Sequence, residues 1–337
     1  MNRYVRLQTM TWIIPLLVHS AVLARGQETD LVSEAHAKGI VVLRASFPSR
    51  GELHSYGLEI SMDGETFVDA NVGPTRGLRF GSKMVRGSHE TDSTTLIVPV
   101  VGRFDFTPQG FLFGSSGMYH LRWNIAFKDR NLGGLKIEQT VDVEPATETD
   151  LELLARMGDR RFLADLGLNP PQDGTLDLLA LGLIAELLEH AQDDPGEEGR
   201  VEGKPEWADP FMSLAKEYPE SSYAPYLAYY AARLYLNDIG RVTGSAGISP
   251  ELKKQPLYRK AIEALQFSIG HGDPFLGPRA LCSLAFVNML AGSWKDAEEF
   301  LVRADDRAAG QGAVLSIVED MRGELARAKK RQAARKQ

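Results

Sequence analysis

The chain has 337 residues, of which 38 are lysine or arginine and 45 are aspartate or glutamate, so that its formal net charge is −7. This acidic balance argues against a general nucleic-acid-binding protein. The single cysteine, Cys282, excludes an intrachain disulfide and therefore a small disulfide-stabilised scaffold. The length is sufficient for two domains, each with its own hydrophobic core.

The first 26 residues are typical of a secretory signal peptide. Arg3 and Arg6 precede an apolar segment at residues 12–23, and small residues follow it. This segment is only about half as long as the roughly 20 residues that a membrane-spanning helix requires. We expect cleavage after Ala24 or Gly26 and export of a bacterial protein, which is then periplasmic or secreted. An uncleaved N-terminal anchor is the alternative.

Residues 35–146 have the hydrophobic period of β-strands. Tyr119, Leu121 and Trp123 alternate with polar neighbours, and the dipeptide Asp63-Gly64 is a strong hairpin-turn signal. Short strands separated by glycine, proline and aspartate turns over about 100 residues predict a β-sandwich. The predicted strands cover residues 40–47, 56–62, 65–69, 94–101, 103–106, 119–126 and 135–143, with a long loop at 76–90.

Residues 117–123, GMYHLRW, resemble the G-x-Y-x-L-x-W run of immunoglobulin-like domains in exported bacterial proteins. The resemblance covers one strand, and the disulfide of antibody domains is absent. It implies that the β-sandwich is immunoglobulin-like. Tyr119 and Trp123 are then expected in its core, and stacking of these rings against a sugar is the alternative.

Beyond residue 147 the hydrophobic period becomes helical, which predicts a helical domain at residues 147–330 and a basic tail at residues 331–337. The acidic loop at residues 193–203 lacks the alternate carboxylate spacing of a calcium loop. The predicted helices cover residues 148–166 with a break at Gly158, 175–191, 207–218, 223–237 and 257–269, then a helical pair within 277–304 and a last helix from 312, with a loop at 239–256.

Residues 278–310 resemble a tetratricopeptide repeat (TPR). Asn288 departs from the family pattern, because an aromatic residue is usual at this position, and Ala309 replaces the closing proline. A second, split copy covers residues 227–234 and 258–268, and residues 218–226, YPESSYAPY, are similar to the joint between repeats in periplasmic TPR proteins of cell-envelope assembly. The matching residues are Leu281, Leu284, Ala285, Gly292, Trp294, Ala297, Leu301 and Ala304.

The resemblance implies an α-solenoid with a concave groove lined by the first helix of each repeat. None of the residues at the groove-facing positions is cationic, which disfavours a clamp for carboxylates and favours an apolar groove for a peptide or helix. Internal packing of the same side chains is the alternative. The groove-facing positions are Ala228, Ala232, Tyr235, Cys282, Phe286 and Met289, of which we predict that Tyr235, Phe286, Met289 and Ala232 bind the partner.

Sequence motifs for catalysis or metal binding are absent. The seven histidines form no H-E-x-x-H site, and the chain has no G-x-S-x-G elbow and no phosphate-binding glycine loop that ends in Lys-Ser or Lys-Thr. We therefore expect no enzyme activity, no metal and no cofactor. A hydrolase whose catalytic groups converge from distant positions is the alternative.

The sequence thus predicts a multidomain α and β protein, with an immunoglobulin-like β-sandwich followed by an α-helical TPR-like array. We expect a noncatalytic protein–protein interaction or scaffold protein of the periplasm or cell envelope, with a protein or peptide partner and no nucleic acid. The basic tail is the one expected point of contact with a membrane. Binding of a carbohydrate or envelope polymer through the sandwich is the first alternative, and an uncharacterised hydrolase is the second.

Overall fold

The computed structural model describes residues 35–48, 53–70, 93–100, 111–167, 205–243, 249–308 and 312–335. This part of the chain is mixed α and β, with two small sheets and eight helices. The predicted signal peptide, the strand at 103–106, the helix at 175–191 and the loops at 76–90 and 193–203 lie outside the described residues.

Six strands form two antiparallel sheets. A two-stranded sheet joins β1 (Val41–Pro48) to β4 (Ser93–Val100). The order β3-β2-β5-β6 makes up the second sheet, whose strands are β2 (Leu53–Ser61), β3 (Val68–Asp69), β5 (Gly117–Phe127) and β6 (Leu135–Val143). These positions confirm most of the predicted strands, although β3 is shorter than predicted.

Strand β1 is buried on both faces. Val41 and Leu43 belong to a hydrophobic core that both sheets share, together with Val98 of β4. Val42 and Ile97 point the other way and belong to the core of the helices. A strand covered on two sides needs apolar residues at successive positions, which explains the uninterrupted apolar run at the start of β1.

The four-stranded sheet has one buried face. Trp123 lies opposite Leu58 of β2 and Ile137 of β6, and all three side chains are buried in the core. On the other face, the Arg122 guanidinium pairs with Glu59 at 3.4 Å and with Glu138 at 3.0 Å. The period of two in β5 and β6 follows from this difference between the faces.

The chain changes from strands to helices between Val143 and Glu148, and Gly158 separates the first two helices as predicted. In the part of the chain that the structure describes, no helix is both long enough and apolar enough to cross a membrane. The helices are α1 (Glu148–Met157), α2 (Arg160–Asp165), α3 (Ala208–Glu217), α4 (Ala224–Thr243), α5 (Pro256–Gly270), α6 (Leu276–Leu290), α7 (Trp294–Ala308) and α8 (Gly312–Arg335).

The predicted loop at residues 239–256 is wrong over its first part. Helix α4 continues through Gly240 to Thr243, and Pro250–Lys254 forms a 3-10 turn. A glycine inside a helix costs about 1 kcal/mol relative to alanine, which the packing of a long helix can outweigh. Ile239 shows this packing, because it is buried in the core of the helices.

From α3 to α8, each helix packs against the next one along the chain, and α6 also contacts α4 and α8. Helix α6 is central and is buried at every position from Leu276 to Ala285. Small residues such as Ala280, Cys282 and Ala285 allow neighbouring helices to approach this closely. Cys282, one of the positions predicted to face a groove, is buried.

Candidate functional site

The four residues predicted to bind a partner are mostly buried. The exposed fractions are 0% for Ala232, 4% for Tyr235 and 9% for Met289, whereas Phe286 is half-buried. A partner can therefore reach Phe286 directly but reaches the other three only if the helices move. A common role of the four in binding stays a prediction.

Tyr235 on α4 connects two neighbouring helices. Its hydroxyl donates a hydrogen bond of 2.5 Å to Asp209 Oδ1 on α3, and Lys260 Nζ on α5 lies 5.6 Å from the centre of its ring. Burial, followed by the hydrogen bond to Asp209, raises the pKa of Tyr235 above its ordinary value. Tyr235 therefore remains a hydrogen-bond donor at neutral pH and acts as a packing residue in this structure.

Ion pairs close the gap between α3 and α5. Lys260 Nζ lies 2.7 Å from Asp209 Oδ1, and Lys216 Nζ lies 2.5 Å from Glu263 Oε1. Each pair joins one helix to the other across α4. The two cations thus neutralise the acidic groups of this gap and cover its surface.

The next gap, between α5 and α7, is an open groove of about 250 Å³. Helix α5 contributes Tyr258, Ile262 and Gln266, which are one turn apart and so share one face of the helix. Helix α7 contributes Phe300 and three charged residues. None of the four residues predicted to bind a partner lines this groove.

Asn288 of α6 lies at the floor of the groove. The Tyr258 hydroxyl donates to Asn288 Oδ1 at 3.4 Å, and Asn288 Nδ2 donates to the Leu284 carbonyl oxygen at 2.8 Å. The repeat pattern has an aromatic residue at this position, where this chain has the shorter asparagine. This departure from the pattern is the sequence signal that can locate the groove.

The rim of the groove is charged. Asp296, Glu299 and Arg303 are exposed, and none of them forms an ion pair with another described residue. The Arg303 guanidinium lies 5.6 Å from the centre of the Phe300 ring. Asp296 and Tyr258 both line the groove, and burial, followed by the negative charge of Asp296, raises the pKa of Tyr258.

The groove is small and open. Sites for small molecules usually enclose about 300–1,000 Å³ and surround most of the ligand. The volume of this groove lies just below that range. Among the residues that the structure describes, no three histidine, cysteine or acidic side chains are arranged to hold a metal ion.

Trp123 and Tyr119 are not available for stacking against a sugar. Trp123 is fully buried, and its indole Nε1 donates to Gln139 Oε1 at 3.3 Å. Tyr119 is also buried and donates to the Ser115 carbonyl oxygen at 2.9 Å. Both rings belong to the hydrophobic core that the two sheets share.

Comparisons with known proteins find no family model and no curated protein that matches the chain. The crystal structure of a β-1,2-glucanase from Parabacteroides distasonis is similar at a TM-score of 0.21 and 10% sequence identity. The match covers 75% of this chain and 36% of the glucanase chain. A TM-score this low does not identify a shared fold.

Proposed function

We propose that this chain is a noncatalytic protein-binding or scaffold protein of the bacterial periplasm or cell envelope, which holds its partner on the helical part of the molecule. The groove between α5 and α7 carries this proposal. It combines the apolar surface of Ile262 and Phe300 with polar residues and with charged groups that have no ion-pair partner among the described residues. A partner segment could bury the walls and pair the charges at once.

The proposal includes an immunoglobulin-like β-sandwich followed by a TPR-like array. The common core of the two sheets supports the sandwich. The array is supported by the contacts of α6 with both α4 and α8, and by Gly292, whose φ of 70° suits the turn between α6 and α7. The residues that match the repeat at its helix contacts are buried, namely Leu281, Leu284, Ala285, Ala297, Leu301 and Ala304.

A pull-down from envelope extract tests the binding function, if a groove variant is compared with a matched control. Gln266→Trp places a large ring in the groove at an exposed position of α5. Val302→Trp adds the same ring to α7 outside the groove, where the side chain of Val302 is 50% exposed. We expect a partner that the parent chain and Val302→Trp retain and that Gln266→Trp loses, while circular dichroism shows that both variants are folded. Equal retention by all three proteins would remove the groove from the proposal.

Export rests on the sequence of residues 1–26 and has its own test. N-terminal sequencing of the protein from the periplasmic fraction is expected to begin at Arg25 or Gln27. Replacing the apolar residues Leu16 and Leu17 by arginine is expected to retain the chain in the cytoplasm. A mature protein that still begins at Met1 would instead support the N-terminal anchor.

A further inference from the structure

We propose that the groove between α5 and α7 receives a basic side chain, a lysine or arginine, from a segment of the partner protein. This inference rests on the proposed function, because it names the chemistry of the partner at the same site. Three observations support it: the groove has apolar surface on its walls, the acids on its rim are unpaired, and in the neighbouring gap a lysine of this chain pairs with the acid.

The walls suit the stem of a long cationic side chain. Ile262 and Phe300 are half-buried and face the groove from α5 and α7. Lysine and arginine cover apolar surface with their methylene groups while the charged end remains in contact with water. The apolar surface of Ile262 and Phe300 and the carboxylates of Asp296 and Glu299, which line the same mixed polar and apolar groove, match both parts of such a side chain.

The gap between α3 and α5 also contains a tyrosine ring and a carboxylate, and there a lysine of this chain supplies the cation. There the Lys260 ammonium donates to the Asp209 carboxylate, beside the ring of Tyr235. The groove presents Tyr258 and Asp296, close enough for the charge of Asp296 to act on the tyrosine. No cation of the described chain pairs with Asp296 or with Glu299, which lies one turn further along α7. A basic side chain of the partner would supply this missing cation.

The position of Arg303 decides which end of the groove the cation occupies. Arg303 lies seven residues beyond Asp296 on α7, which is about 10 Å along the helix axis at 1.5 Å per residue. The Arg303 guanidinium is close to Phe300 and repels a second cation at that end. The basic side chain therefore belongs at the end formed by Tyr258, Asp296 and Glu299.

Three short synthetic peptides test this chemistry on the full chain. They are identical except for one central residue, which is lysine, norleucine or glutamate, so that charge is separated from the apolar stem. We expect the lysine peptide to bind at least five-fold more tightly than the other two, by titration calorimetry or by shifts of groove amides in NMR spectra. A difference of this size corresponds to about 1 kcal/mol, the upper range for an exposed ion pair.

Two double variants locate the binding site. Asp296→Asn with Glu299→Gln removes the charges of the groove and is expected to weaken the lysine peptide at least five-fold. Asp306→Asn with Glu319→Gln changes the net charge equally at exposed positions outside the groove, and we expect it to leave the affinity unchanged. Circular dichroism checks that both double variants are folded.

The outcomes separate this inference from the proposed function. Equal binding of the lysine and norleucine peptides, or equal weakening by the two double variants, would overturn the basic side chain as the occupant. If none of the peptides binds, while the Gln266→Trp variant still does not retain the natural partner in the pull-down, the proposed function stands and this inference is wrong. If the lysine peptide binds in the groove while the Gln266→Trp variant retains the partner, the groove does bind a basic side chain, but it is not the site that binds the natural partner.

Discussion

Asp150 is a carboxylate with 1% of its surface exposed, and it accepts hydrogen bonds from two neighbouring serines. Its Oδ1 atom accepts hydrogen bonds from Ser221 Oγ at 2.6 Å and from the Ser222 backbone N–H at 2.9 Å. Ser222 Oγ in turn accepts from the Ile40 backbone N–H at 2.9 Å. A Cβ atom at Gly39 would lie 3.0 Å from Asp150 Oδ2, a tight contact that favours glycine at this position. Asp150 therefore joins three segments that are distant in sequence.

Replacing Asp150 by alanine removes the acceptor of three donors, the Ser222 backbone N–H and the hydroxyls of Ser221 and Ser222, of which a hydroxyl can rotate towards another acceptor. Each such loss costs about 1–3 kcal/mol, so we expect Asp150→Ala to lower the free energy of unfolding by about 2–5 kcal/mol. Glu148→Ala removes the same charge from the same helical turn at an exposed position. The control is expected to lose at most about 1 kcal/mol. Urea denaturation of the full chain measures both, and equal losses would contradict the role of Asp150.

Asp209, in the gap between α3 and α5, makes a contribution to stability that depends on pH. Its hydrogen bond with Lys260, followed by that from Tyr235, lowers the pKa of Asp209 below its ordinary value. A carboxylate whose pKa is lower in the folded state stabilises the fold above its unfolded-state pKa, which is about 3.9 for aspartate. This contribution is lost as the pH falls through the lower, folded-state pKa.

We therefore expect Asp209→Asn to reduce stability at neutral pH and to approach the parent chain as the pH falls below about 4. The reduction is expected to stay under about 1 kcal/mol, because exposed ion pairs contribute little. Urea denaturation at a series of pH values measures the difference. Asp306→Asn removes an exposed carboxylate that has no ion pair among the described residues, and serves as the control. A difference that stays constant from neutral to acidic pH would contradict the assignment.

At the scale of elements, the contact between α6 and α7 depends on small residues. Ala297 of α7 is fully buried, and Gly292 lies in the short turn that brings the two helices together. A leucine at position 297 would add three carbon atoms where no space is left. Overpacking of a close contact costs about 1–3 kcal/mol.

Ala297→Leu is therefore expected to lower the free energy of unfolding by that amount in thermal or urea denaturation. Lys295→Leu introduces the same side chain two positions earlier, at an exposed site. The control is expected to change stability by no more than about 0.5 kcal/mol. Equal stability of Ala297→Leu and the parent chain would mean that α6 and α7 can separate without cost.

The sequence was most informative where one face of an element is buried and the other is exposed. The alternation around Trp123 placed β5 correctly, and the small and large residues around Ala285 and Ala297 placed α6 and α7. The end of α4 was misplaced, because glycine is a local signal that tertiary packing of residues such as Ile239 overrides.

The candidate site was harder to predict than the elements. A groove is formed by residues of different helices, and which of their charges are paired depends on positions far apart in sequence. Lys260 with Asp209 shows this, because nothing local in the sequence indicates that the two meet. Asn288 was noticed as a departure from a family pattern, but the space beside it becomes visible only when α5 and α7 are in place.

At the scale of the whole molecule, the helices and the small sheet share a core. Val42 and Ile97, on one face of the two-stranded sheet, belong to the same hydrophobic cluster as residues of the helices. The Tyr223 hydroxyl adds a hydrogen bond to the Lys38 carbonyl oxygen across this contact. We therefore expect the two parts to unfold as one cooperative unit, because neither can separate without exposing apolar surface and buried polar groups.

Hydrogen exchange of the full chain provides the measurement, with the most protected amides of β5 reporting on the sheets and those of α4 on the helices. Ile97→Ala removes a side chain at the shared core and is expected to destabilise both segments equally, by about 2–5 kcal/mol. Leu121→Ala makes a similar change in the core of the sheets, far from the helices. In a single cooperative unit Leu121→Ala also destabilises α4. If it accelerates exchange in β5 alone, the sheets unfold independently, and the contact made by Val42 and Ile97 is then too weak to couple the two parts.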